Sequence, residues 1–238
     1  MKTWKIILIT LGVAAVAVYL VFAFSAEKDN TVSNAPSINI KDADELQFVS
    51  EAKIKQILKK KGINPEKPVT EEKFAEVERI IEGNNAIKNC EVSKTVSGKV
   101  NIDIWQRKPV FRVMTADKSY FLDEEKVEIP CDFEYFVPIV TGTDNKDFIK
   151  GELFDFILFL QKDDFWQSQI TQINVDKNKE ITLVMRIGRH TVLLGTLDGY
   201  ERKMNNLFTF YKKVLNEKGW NKYGKIDLQF DKQIVCTK

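Results

Sequence analysis

"EVSKTVSGKVNIDIWQRKPV", Glu91 to Val110, carries a hairpin and the end of a domain in twenty residues. Val100, Ile102 and Ile104 alternate with Asn101, Asp103 and Trp105, the period of a half-buried strand. Glu91 to Val96 forms its partner, and Ser97-Gly98 supplies a tight turn between them. Pro109 cannot continue a central strand, so "WQRKPV" (Trp105 to Val110) is a junction rather than an interior segment.

Upstream of the hairpin, Ser37 to Lys41 is a short strand candidate. Ser50 has the character of an N-cap, and Ile54, Ile57 and Leu58 fall on one helical face behind it. Lys59-Lys60-Lys61 suits the negative end of that helix, and Gly62 supplies its left-handed cap. A lipid headgroup contact is the other reading of the lysine run, but helix-end chemistry accounts for it unaided. A second helix follows Thr70 with Phe74, Val77 and Ile81 inward and Gly83 near its end. Strand, helix, helix, strand, strand over residues 37–107 makes a compact α+β unit, one helical layer on one small sheet.

Residues 108–238 have a different texture. Short strands are expected at Phe111–Met114, Ser119–Leu122, Pro138–Val140, Ile170–Val175, Ile181–Ile187 and Thr191–Leu194. The stretch "LFDFILFL" within Phe148–Gln161 is too short, and too interrupted by Asp155, to span a membrane, and reads as a buried core helix. Gly199–Asn216 is a helix with Met204, Leu207, Phe208, Tyr211 and Leu215 inward. The chain closes on "KIDLQFDKQIVCTK" (Lys225 to Lys238). There Ile226, Leu228 and Phe230 alternate with polar residues before a second apolar run, Ile234 to Cys236. Ending on a strand leaves an open sheet edge, a liability unless it is managed or used.

At the other end, Ile6 to Phe24 is nineteen residues without a charge. As a helix it would be about 28 Å long, close to the thickness of a bilayer's hydrocarbon core. Lys2 and Lys5 precede it, which places residues 1–5 in the cytoplasm and everything after Phe24 outside it. A signal peptide cleaved near Ala23-Phe24-Ser25 is the alternative. The apolar run exceeds the usual length of a signal core, so a retained single span is expected. Residues 25–36, polar and small, read as a linker.

Net charge of +2 gives no sign of a nucleic-acid binder. Cys90, Cys131 and Cys236 form no C-x-x-C pair, and the single His190 leaves a zinc site without ligands. The spacing does not decide between a Cys90–Cys131 disulfide and three buried thiols, the reading we favour. Ser50-Glu51-Ala52-Lys53 matches S-x-x-K of penicillin-binding enzymes, but no S-D-N or K-T-G accompanies it, and a helix cap explains Ser50 better. His190 reads as a loop histidine beside Gly188. Trp105, Trp166 and Trp220 fit a sugar-stacking surface less well than core or hinge positions. No cofactor is expected, and no catalysis.

These pieces, in this order, resemble the bacterial cell-division family FtsQ/DivIB. The βααββ unit looks like its POTRA domain, and the rest like its C-terminal β domain. "FVSEAKIKQIL" (Phe48 to Leu58), "WQRKPVFRV" (Trp105 to Val113), "YFLDEE" (Tyr120 to Glu125), "VPIVTG" (Val137 to Gly142) and "GWNKYGKIDLQF" (Gly219 to Phe230) carry the resemblance. The short N-terminal segment departs from members with a longer cytoplasmic tail, and the C-terminus lacks an aromatic residue and polar tail found in some.

The resemblance implies a non-catalytic scaffold of the division septum, single-pass in the inner membrane with its bulk in the periplasm. It also implies bitopic partners of the FtsB/FtsL type, bound by strand addition at the C-terminal edge. Mapped by position, that edge is Gln233, Ile234, Val235, Cys236 and Thr237, with Phe230 in the neighbouring strand. A secreted or anchored periplasmic ligand-binding module is the alternative.

Overall fold

The computed structural model describes residues 35–230 and 233–238, and the chain divides into two units between Gln106 and Arg107. The apolar segment 6–24, the stub before it and most of the linker lie outside the described residues. Among the described residues no helix is long and apolar enough to cross a membrane.

The first unit runs β1 (Ser37–Ile40), α1 (Glu51–Lys60), a 3-10 turn (Glu71–Lys73) leading into α2 (Phe74–Glu82), then β2 (Ile87–Lys94) and β3 (Val100–Gln106). The sheet order is β1-β3-β2, with β1 parallel and β2 antiparallel to β3. Ser50 caps α1 by accepting the Lys53 N–H at 3.3 Å. Just beyond the helix, Gly62 takes φ +82°, a conformation that a side chain would strain. Ile54, Leu58, Val77 and Ile81 from the helices and Val100, Ile102 and Ile104 from β3 are buried, while Ile57 and Phe74 are only half-buried.

β2 starts at Ile87, four residues before the apolar alternation becomes visible. The pairing slips between Ile87 and Asn89, and polar Lys88-Asn89 hide the strand's beginning. At the far end of β3, buried Gln106 pins the loop before α1. Its Nε2 donates to Asp42 (2.9 Å) and the Leu46 carbonyl (2.7 Å), and its Oε1 accepts the Val49 N–H (2.8 Å).

In the second unit β4 (Pro109–Met114), β5 (Ser119–Asp123), β6 (Glu128–Pro130) and β7 (Ile139–Thr141) are followed by α3 (Lys146–Lys150), α4 (Glu152–Gln161) and α5 (Asp164–Gln169). Then come β8 (Ile170–Val175), β9 (Ile181–Met185), β10 (Thr191–Gly195), α6 (Tyr200–Phe210), β11 (Lys225–Asp227) and β12 (Val235–Thr237). The nine strands form one mixed sheet, ordered β12-β11-β10-β9-β8-β7-β4-β5-β6. Pro109 opens β4, a position where its missing N–H costs least.

The helix expected over Phe148–Gln161 is two helices broken at Gly151. A side chain there would lie 2.7 Å from the Asp147 carbonyl oxygen. Leu153, Phe154, Phe156, Ile157 and Leu160 of α4 are buried, as a core helix requires. α5 brings Trp166 into the same core rather than onto a stacking surface; Trp105 and Trp220 are half-buried. All three cysteines are free thiols. Cys90 alone is buried, and Cys131 and Cys236 are half-exposed, so the expectation of three buried thiols fails for two. Burial and the carboxylates of Glu82 and Glu78 push the Cys90 thiol up to about 12, which leaves it protonated and inert.

Candidate functional site: the C-terminal sheet edge

The site begins with a chain reversal. β10 and β11 lie parallel, Thr191 opposite Lys225 and Leu193 opposite Asp227, so residues 196–224 must cross over between them. α6 fills that crossover and buries Met204 and Leu207. It continues through a π-helical turn, Tyr211–Leu215, which buries Tyr211 and Leu215. β12 then folds back antiparallel on β11, Ile226 opposite Cys236. It is the terminal strand of the sheet and, among the described residues, pairs with β11 alone. Val235 is 39 % exposed, Thr237 is exposed and Cys236 is half-buried against the core, so the ribbon shows one wet and one dry side. Burial raises the Cys236 thiol above the ordinary cysteine value.

Of the five expected edge residues only Val235, Cys236 and Thr237 lie in the strand. The alternation from Ile226 to Phe230 promised a longer β11. Leu228 still donates to the Leu193 carbonyl at 2.9 Å, but the Asp227 carboxylate accepts the Gln229 N–H at 3.0 Å and turns the chain away. Phe230 therefore belongs to the connection between β11 and β12, where it is 50 % exposed, and Gln233 and Ile234 precede β12. Asp227, a turn-former two residues after the strand begins, was the signal for the early stop.

Phe230, Gln233 and Ile234 meet again beside the edge. Together with Phe210, Val214 and Leu228 they line a groove of about 360 Å³ against α6. Arg202, Lys203 and Lys213 from that helix make the groove's rim basic. Lys203 is held in place, its Nζ donating to the carbonyls of Leu194 (3.1 Å) and Thr196 (2.8 Å). The groove was not legible in the sequence, because its two walls, the crossover helix and the connection before β12, are brought together only by the fold.

Behind the edge, His190 is buried, and its Nε2 shares a 2.8 Å hydrogen bond with the Tyr211 hydroxyl. Gly188, at φ +90°, makes room for the ring: a side chain there would lie 2.6 Å from His190 Nδ1 and 2.9 Å from the Trp220 carbonyl oxygen. Burial pulls the imidazole below the ordinary histidine value, with the Trp220 backbone acting weakly in the opposite sense. His190 Nδ1 makes no hydrogen bond of good geometry. The loop histidine is thus a neutral core residue joining β10's approach to the crossover helix.

Two of the motifs quoted from the sequence also come together. Arg107, in the junction, reaches Asp123 (2.5 Å) and Glu125 (2.7 Å) of the "YFLDEE" stretch. Asp123 in turn accepts the N–H groups of Glu125 (3.0 Å) and Val127 (2.7 Å), which shapes the turn into β6.

A βααββ unit followed by a mixed sheet defines a two-part α+β protein, with a POTRA-like domain ahead of a strand-rich one. Family models agree on both parts: residues 31–105 match a POTRA-like domain, and residues 108–237 match "FtsQ/DivIB, C-terminal related". The chain belongs to the FtsQ/DivIB family. Its domains are those of a non-enzymatic cell-division scaffold, and the family points to a membrane protein of the division site. A search of curated proteins returned no match.

Proposed function

We propose that the chain is a bitopic scaffold of the bacterial divisome whose β12 edge takes a strand from an FtsB/FtsL-type partner. Residues 1–5 are then a cytoplasmic stub, residues 6–24 the membrane span, residues 25–36 the tether, residues 37–107 the POTRA domain and residues 108–238 the partner-binding domain. The observation that carries the reading is the outer flank of β12 at the end of a nine-stranded sheet, unpaired among the described residues. Strand addition draws affinity from main-chain hydrogen bonds and selectivity from alternating side chains.

Three strand residues present about two to four outward bonds at about 0.5–1.5 kcal/mol each, roughly 1–6 kcal/mol in all. Association entropy offsets most of that. Phe230 and Ile234 in the neighbouring groove supply the apolar anchors that a bare ladder lacks. Anchoring both molecules in one bilayer raises the effective concentration of each for the other.

Pull-down of the periplasmic segments of an FtsB/FtsL pair tests this. Neighbouring N–H groups along a strand point to opposite flanks. Of Val235→Pro and Cys236→Pro, one therefore removes an outward donor whichever phase the strand adopts. Reduced capture in at least one variant, with an unchanged far-UV circular dichroism spectrum, is expected. Capture unaffected in both would sink the edge assignment.

A further inference from the structure

We infer that the end of the first unit at which the chain enters, at Ser37, is a docking face for an anionic lipid surface. This rests on the reading that residues 6–24 sit in a bilayer. The pairing places several segments at that one end. Ser37 lies opposite Asn101, and Lys94 opposite Val100, so the start of β1, the start of β3 and the β2–β3 turn are together. α2 runs antiparallel to β2, since Glu78 accepts the Val92 N–H (2.8 Å), Glu82 accepts the Cys90 N–H (3.0 Å), and Glu71, just before the helix, meets Lys94 (2.9 Å). α1 starts at the opposite end, beside Gln106. It returns about 15 Å to Lys59, whose Nζ is 3.0 Å from Glu66 in the segment leading to Glu71.

The charge at the entry end is lopsided. Lys59 and Lys94 are paired with Glu66 and Glu71, but Lys60, Lys61, Lys67, Lys73 and Lys99 are exposed with no carboxylate within 4.0 Å among the described residues, and Glu72 and Glu76 are the remaining acids there. The opposite end holds the acids Asp42, Asp44, Glu45 and Glu51 together with Lys41, Lys53 and Lys88. At the tip of the entry end stands Val96, an apolar side chain wholly in solvent (109 % exposed) between Lys94 and Lys99. An apolar tip flanked by Lys94 and Lys99, at an end with a surplus of lysines, suits the headgroup boundary, where apolar contact and attraction to anionic lipid add. The linker residues 25–36 reach at most about 43 Å extended, and roughly 20 Å as a coil, so the tether keeps this end close to the surface. The lysine run that helix-end chemistry explains singly is thus one part of a face assembled from three segments.

Hydrogen exchange on the full chain in lipid nanodiscs tests the assignment. Amides at residues 59–67 and 94–99 are expected to exchange at least fivefold more slowly in discs that contain roughly a third anionic phosphatidylglycerol than in neutral phosphatidylcholine discs. The protection should vanish near 0.5 M salt, where the screening length falls to about 4 Å. It should also vanish in Lys60→Gln/Lys61→Gln/Lys99→Gln and weaken in Val96→Asp, while Lys88→Gln leaves it unchanged. Equal exchange in the two lipids overturns the docking face, as does protection that persists in neutral discs, which would assign this end to protein contact. If the chain fails to enter discs, the anchoring reading falls on its own. Co-sedimentation with anionic vesicles then decides: salt-sensitive binding that needs the three lysines upholds the face, and no binding overturns it.

Discussion

The two ends of the nine-stranded sheet are both three residues long, yet one is closed and the other is open. At β6, Pro130 offers no N–H, Ile129 is fully buried, and Glu128 is held by Lys150 (3.3 Å) and Lys146 (3.6 Å). Proline and fixed charge are the usual means of blunting a sheet edge. β12 has neither: Val235 and Thr237 stand exposed, and no ion pair fixes a side chain of the described strand. Among the described residues, one sheet therefore carries a protected and an unprotected edge, and the contrast is what the proposed binding side rests on.

The largest expected effect on capture separates the two edges directly. Whichever of Val235→Pro and Cys236→Pro removes the outward donor reduces partner capture about two- to thirteenfold, whereas Pro130→Val leaves capture unchanged. Size-exclusion chromatography would then show whether the unblunted β6 edge now pairs with another copy. Next come the buried residues under each edge. Ile226→Ala and Ile129→Ala each lower stability in urea titrations by about 2–4 kcal/mol. Only Ile226→Ala also weakens capture beyond that loss, because it loosens the template strand itself. If both variants weaken capture equally, the edges are not functionally distinct.

Smaller effects follow from pH. A base whose folded pKa is depressed, as for His190, contributes stability that is fully present above its unfolded value near 6.5 and is lost as pH falls below it. Glu128 is partly buried, which pushes its carboxyl up, but the Lys150 hydrogen bond and the charges of Lys150, Lys146 and Lys118 outweigh this and leave it below the ordinary value. Its contribution is present above about pH 4.3 and is lost only below that. Unfolding midpoints followed from pH 7 to 4 should fall first through the histidine window, and His190→Gln should flatten that part. Glu128→Gln should cost less than about 1 kcal/mol at pH 7. A midpoint that holds steady down to pH 5 would remove His190 from the stability of the open end.

Much of the fold was legible because two periods were clean. Val100, Ile102 and Ile104 alternate without interruption, and Met204, Leu207, Tyr211 and Leu215 keep helical spacing that even the π-helical turn absorbs. What stayed hidden was irregularity with a local cause. Lys88-Asn89 concealed the start of β2, Gly151 split a helix, and Glu128–Pro130 was too short and too polar at its ends to announce a strand. The edge was legible only in part. A period of two carried Phe230 into β11 on paper, whereas one Asx turn at Asp227 removes it in space. The groove beside the edge needed the crossover helix in three dimensions, since Phe210 and Ile234 are far apart in sequence.

The parallel pairing of β10 with β11 has a consequence for timing. β11 cannot be laid down on β10 as a hairpin; it waits until residues 196–224 have collapsed across the sheet, with Met204, Leu207, Tyr211 and Leu215 interred. β12 pairs with β11 antiparallel across a short connection, so the two can form together as a local ribbon, but that ribbon joins the sheet only through the long-range β10–β11 pairing.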